Sequence, residues 1–131
     1  MVKIKDKMLC LIALTEILIG GITLLTLLSS LFSSVNTKTP NVLAFVFLTA
    51  CTSATLGAGL LQSDKRAYEL LIYFSSIIIL SKVLIFADII QLNGALETSI
   101  SPTLKNIVSI FYHAFVIVYL KKKDIKTLFR N

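Results

Sequence analysis

The chain has 131 residues, 56% of them hydrophobic, and a formal net charge of +6. That apolar share lies beyond an ordinary soluble domain, and the length leaves no room for a separate soluble domain once the apolar stretches are counted. The basic excess sits at the ends of those stretches and is not interleaved with exposed aromatics, which excludes a nucleic-acid surface and assigns the charge to membrane topology.

The first apolar stretch, Met8–Phe32, follows Lys3, Lys5 and Lys7. A membrane helix needs about 20 mostly apolar residues to cover a ~30 Å hydrocarbon core, and this stretch exceeds that length. A signal-peptide core is only about 7–15 residues long and ends at a small-residue site. No A-x-A pattern closes this run, with only Ser33-Ser34-Val35 as a weak mimic, so it reads as a retained span. The second stretch, Val42–Leu61, is preceded by Thr39-Pro40, a cap and helix-start signal. Gln62–Glu69 reads as a polar hairpin turn carrying Lys65 and Arg66. The third stretch is Leu70–Leu92. Asn93-Gly94 stops it, Ser101-Pro102 restarts the chain, and the fourth stretch runs Ile107–Leu120, reaching full length if it begins at Thr103. Lys121–Asn131 is a basic tail.

Such short connections force neighbouring spans to pack antiparallel. The expected fold is an all-α, up-down four-helix transmembrane bundle forming one domain. Small residues mark helix contacts in a bilayer: Ala50, Ala54 and Ala58 recur every four residues with Ser53 and Gly57 beside them, and Gly20-Gly21 offers a second close approach. The N-terminal tail, the middle turn and the C-terminal tail share one side of four spans and hold nearly all the Lys and Arg, whereas the other two loops carry one each, Lys38 and Lys105. By the positive-inside rule both termini are cytoplasmic and the protein is multi-pass in the cell membrane.

Four ionisable residues fall inside spans: Glu16, Lys82, Asp88 and His113. A central Lys or Asp costs about 2.5–3.5 kcal/mol on insertion scales, so these side chains should pair, face inward or reach an interface. From the ~1.5 Å rise per residue, Glu16 and His113 lie roughly 12 and 10 Å from the same side, with Lys82 nearer the midplane. The expectation is a buried cluster of Glu16, Lys82 and His113, with Tyr112 or Ser81 as hydrogen-bond partners, and Asp88 meeting outer-face water or Lys105. Such a cluster is either a fixed ion pair that specifies helix register, with His113 an ordinary hydrogen-bonded interior residue, or a transport path in which Glu16 binds a proton or cation and Lys82 and His113 tune it.

The tail adds a further expectation. Ile125, Leu128 and Phe129 sit at i, i+3, i+4 spacing among Lys121, Lys122, Lys123, Lys126 and Arg130. That pattern reads as a short amphipathic segment lying on the inner leaflet and binding anionic headgroups at about 1 kcal/mol per near-surface Lys or Arg. Cys10 and Cys51 have no C-x-x-C partner and read as small buried hydrophobes. One His and few acids supply no usual metal site. No G-x-S-x-G, H-E-x-x-H or phosphate-cradling glycine loop is present, so neither enzyme activity nor a cofactor is expected.

Two stretches carry a resemblance. Leu56-Gly57-Ala58-Gly59-Leu60-Leu61 with Lys65-Arg66-Ala67-Tyr68, and the ending Tyr119-Leu120-Lys121 through Asp124-Ile125-Lys126 to Phe129, resemble a broad, largely uncharacterised group of small prokaryotic four-span integral membrane proteins. There a glycine–leucine helix exit precedes a basic turn, and a tyrosine–leucine exit precedes a short charged helix. The match covers about half the chain; the tryptophan usual in the basic turn is replaced near Ala67-Tyr68. It implies the topology and no activity. The layout is also similar to small multidrug-resistance exporters through Glu16 alone, without their tryptophan and glycine patterns in the third span. The functional expectation is a non-enzymatic accessory or scaffolding subunit of a membrane assembly, partnered by another membrane protein or by its own copies. The alternative is a small proton- or cation-coupled transporter or channel using Glu16.

Overall fold

The computed structural model describes residues 6–32, 40–87 and 102–129. Among them the chain is helical throughout its elements: α1 (Lys7–Phe32), α2 (Pro40–Leu61), α3 (Lys65–Phe86), α4 (Pro102–Leu120) and the short α5 (Lys123–Leu128). The first four are long and apolar enough to cross a membrane. The helix of 26 residues, α1, is about 39 Å long at 1.5 Å per residue, longer than a bilayer core needs without tilt.

The helix starts follow local chemistry. The Asp6 carboxylate accepts from the backbone N–H of Met8 (2.9 Å) and Leu9 (3.0 Å), capping α1. Pro40 opens α2 at the position where a missing N–H costs nothing, while Thr39 lies outside the described residues. Asp64 caps α3 by accepting from Arg66 N at 2.8 Å, with Ser63 in the left-handed region at φ 58°. This shortens the turn expected over Gln62–Glu69: Lys65, Arg66 and Glu69 are already helical, and α3 begins five residues before the apolar run does. The expected spans at 8–32 and 103–120 match α1 and α4 to within a residue, and 42–61 matches α2 from Pro40. The end expected for span three, 88–92, lies outside the described residues.

Contacts group α1 with α2 in one compact unit, and α3 with α4 and α5 in a second. In the first unit the two helices run antiparallel and meet on backbone. A Cβ added at Gly20 would stand 2.5 Å from the Ala50 carbonyl oxygen and 2.7 Å from Ala54 N. One added at Gly57 would stand 2.6 Å from the Ala13 carbonyl oxygen and 3.0 Å from Glu16 Cβ. Beyond these contacts, Leu27, Val42 and Val46 bury one another, with Leu43 packed against them. A Cβ at Gly21 would meet nothing within 4 Å, so the close approach expected of the glycine pair falls to Gly20 alone. Ala58 is only half-buried; the contact face of α2 runs through Ala50, Ser53, Ala54 and Gly57.

In the second unit α3 buries Ala67, Tyr68, Leu71, Ser75 and Ile78, and α4 buries His113, Val116, Tyr119 and Leu120. Tyr68 donates its hydroxyl proton to the Leu120 carbonyl oxygen at 2.8 Å, tying the start of α3 to the end of α4. The opposite faces of the long helices are apolar and open: Leu25, Tyr73 and Phe111 are each about two-thirds or more exposed (66%, 68% and 72%). Apolar faces of this extent are what a helix long and apolar enough to cross a membrane presents.

Candidate functional site

Hydroxyl groups separate the lipid-tolerant positions from the ones with another task. Thr15, Thr26, Thr52, Thr55, Ser76 and Ser81 each donate to the carbonyl four residues back on their own helix, at 2.8–2.9 Å. Satisfied in this way, a hydroxyl can face hydrocarbon at little cost. The Ser81 hydroxyl therefore goes to Ile77 O, not to the cluster expected around Lys82.

Ser53 behaves differently. It is buried, and its Oγ reaches across to α1, within hydrogen-bonding distance of the Glu16 carboxylate Oε2 and 3.0 Å from the Glu16 carbonyl oxygen. Glu16 has no exposed surface at all. The close contact of Gly57 with Ala13 and Glu16 brings the two backbones near enough for so short a side chain as serine to span the gap. The contact of Gly20 with Ala50 and Ala54 closes the pair one turn further along. The carboxylate is thus enclosed by backbone contacts on both sides along α1. Sequence reasoning puts Ser53 in the packing stripe and misses it as a partner. A signal for it exists: at ~1.5 Å per residue Ser53 lies about 12 Å from Leu61, the same depth as Glu16 from Met8.

The second unit holds Lys82, Lys105 and His113. The His113 ring stands edge-on to Phe74, 6.3 Å between centroids, and 5.1 Å from the ring of Tyr112. Of the expected trio, then, Lys82 and His113 belong to the α3–α4 unit and Glu16 to the α1–α2 unit. Ser75 is also fully buried here, and its hydroxyl has no hydrogen-bond partner among the described residues. Asp88, expected beside Lys105, lies outside the described residues.

The tail is built differently from an amphipathic strip lying free on lipid. Ile125 and Phe129 are each 3% exposed, while Leu128 alone is open at 56%. The Phe129 ring stacks on Tyr68, 4.6 Å between centroids and 14° from parallel. The Lys122 ammonium sits 4.9 Å from the centre of the Tyr119 ring. Lys65, Tyr68, Glu69, Lys126 and Phe129 line a pocket of about 350 Å³ between the first turns of α3 and the end of α5. Lys121 and Lys123 are exposed, and Arg130 lies outside the described residues. Cys10 and Cys51 are free, half-buried thiols.

These observations define an all-helical protein with four helices of membrane-crossing length and composition, and with an enclosed carboxylate between the first two. No protein-family model, no curated protein and no solved structure matches the chain.

Proposed function

We propose that this is a non-enzymatic, multi-pass protein of the cell membrane, with both termini cytoplasmic, that serves as an accessory or scaffolding subunit of a membrane assembly. The observation that carries the reading is the enclosure of Glu16. A charge-bearing side chain inside a span is expensive, and here its carboxylate bonds Ser53 on the neighbouring helix at a point where glycines press the two backbones together. That is the arrangement of a register-fixing clamp. The orientation rests on charge: Lys7, Lys65, Arg66 and the tail lysines lie on the side shared by the chain's ends and its middle turn. The broad apolar faces left open on α1, α3 and α4 supply surface for lipid and for a partner span, from another membrane protein or another copy.

A proton- or cation-coupled transporter is the competing reading, favoured by the same placement of a carboxylate within a span. Glu16→Gln decides between them in reconstituted liposomes. The subunit reading expects the variant to change stability and leave proton-coupled flux at the level of empty vesicles, as in wild type. Flux present in wild type and abolished in a folded Glu16→Gln would overturn it. Native-nanodisc extraction followed by pull-down then supplies the positive test, with a stoichiometric membrane partner expected.

A further inference from the structure

The pocket at the base of the second unit has a composition that the clamp does not use. It is lined by two amines from separate elements, Lys65 from the first turn of α3 and Lys126 from α5, and by the carboxylate of Glu69. Its apolar wall is the stacked Tyr68–Phe129 pair. Lys65, Glu69 and Lys126 are exposed at the rim, whereas Tyr68 and Phe129 are buried. Lys65 is the first residue of α3, whose start Asp64 caps by accepting from Arg66 N, so the positive field of the pocket comes from the two ammoniums and not from the helix end.

We propose that this pocket binds a phosphate-bearing anion, presented by a lipid headgroup. Three observations converge on that chemistry. The charges are amines, compact donors suited to phosphate oxygens, and they come from two elements that converge on one cavity. Its size, about 350 Å³, is at the small end of ligand pockets (about 300–1,000 Å³); it admits a headgroup and excludes a whole lipid. Its place follows from the fold: α3 begins and α4 ends here, with Tyr68 bonded to Leu120, so in a spanning chain the pocket opens at headgroup level. Glu69 gives the opposite end of the headgroup a partner, because a carboxylate accepts from hydroxyl or ammonium groups and repels a second anion. A phosphodiester carrying a donor, such as phosphatidylglycerol, fits better than a doubly charged phosphate. The diffuse attraction expected of the tail thereby gains a built site whose critical cations are Lys65 and Lys126.

The inference rests on the membrane-spanning reading, and the test separates the two. The full chain in a neutral detergent, which has no leaflet potential of its own, is titrated with short-chain phosphatidylglycerol, short-chain phosphatidylcholine and, separately, inorganic phosphate, with bound ligand read by native mass spectrometry. Phosphatidylglycerol should bind in preference to phosphatidylcholine. The double variant Lys65→Gln/Lys126→Gln should weaken it about tenfold or more. The exposed pair Lys121→Gln/Lys123→Gln, with the same change of charge, should leave it within about twofold of wild type. Displacement by millimolar inorganic phosphate assigns recognition to the phosphate whatever carries it; resistance to displacement assigns it to the lipid headgroup. Equal losses in the two double variants, or no preference over phosphatidylcholine, overturn the pocket. Chain released from membranes by alkaline carbonate overturns the spanning reading instead.

Discussion

At the scale of single residues, the hydrogen bond from Ser53 and the two glycine contacts make opposite demands on substitution. Gly20→Ala would press a methyl into the backbone of Ala50 and Ala54, at 2.5 and 2.7 Å, and overpacking of this kind costs about 1–3 kcal/mol. Gly21→Ala meets open space and should be neutral, or stabilise by roughly 0.5–1 kcal/mol because alanine suits a helix better than glycine. Thermal unfolding in detergent should therefore fall for Gly20→Ala and hold or rise for Gly21→Ala, one position away. Ser53→Ala removes the interhelical bond, and comparable bonds in membranes average about 0.6 kcal/mol and reach about 1.7. In a Glu16→Ala background the loss should shrink to what the bond from Ser53 to the backbone carbonyl of residue 16 still contributes; fully additive losses in that double-mutant cycle would mean that the two side chains act independently.

Among the elements, α5 depends most on its neighbours. Six residues are too few to hold a helix in water unaided, so its persistence rests on the burial of Ile125 and on the stacking of Phe129 with Tyr68. Phe129→Ala should speed amide exchange across Lys123–Phe129 and leave the exchange of α1 and α2 unchanged. Tyr68→Phe keeps the stack and deletes only the bond to Leu120, a loss of about 1 kcal/mol, and should disturb α5 less. Asp64→Ala removes the side-chain cap of α3 and should cost about 1 kcal/mol. The elements also show why some contacts are legible in the sequence and others are not. The spans stand out because a run of about 20 consecutive apolar residues is the length a bilayer core demands and soluble helices seldom reach. The start of α3 does not, because hydropathy marks where the chain enters the apolar layer, whereas the helix begins at its cap, Asp64. The stripe Ala50, Ala54, Ala58 drifts around its helix by about 40° per step, since 3.6 residues make a turn. A partner helix is followed by alternating steps of three and four, which is why the contact runs through Ala50, Ser53, Ala54 and Gly57. Phe129 reads as lipid-facing in the sequence because its stacking partner, Tyr68, lies 61 positions away and no local pattern announces the pair.

At the scale of the whole molecule, the polar groups described on the four long apolar helices are few and mostly satisfied close to home. Most hydroxyls bond their own helix, Ser53 donates across to the carboxylate of Glu16, and many large apolar side chains stay exposed. The burial of Glu16 and His113 is legible from their depth within the spans, because an exposed titratable group in hydrocarbon is too costly to keep. The central claim is that the chain crosses the bilayer four times with its ends and middle turn in the cytoplasm. Single cysteines placed at Ser63, Lys121 and Asn93, in a background with Cys10 and Cys51 changed to alanine, test it with a membrane-impermeant maleimide on intact cells. The cysteine at position 93 should label at once, and those at 63 and 121 only after the membrane is opened. Labelling of position 63 or 121 on intact cells, or protection of position 93, would contradict that topology.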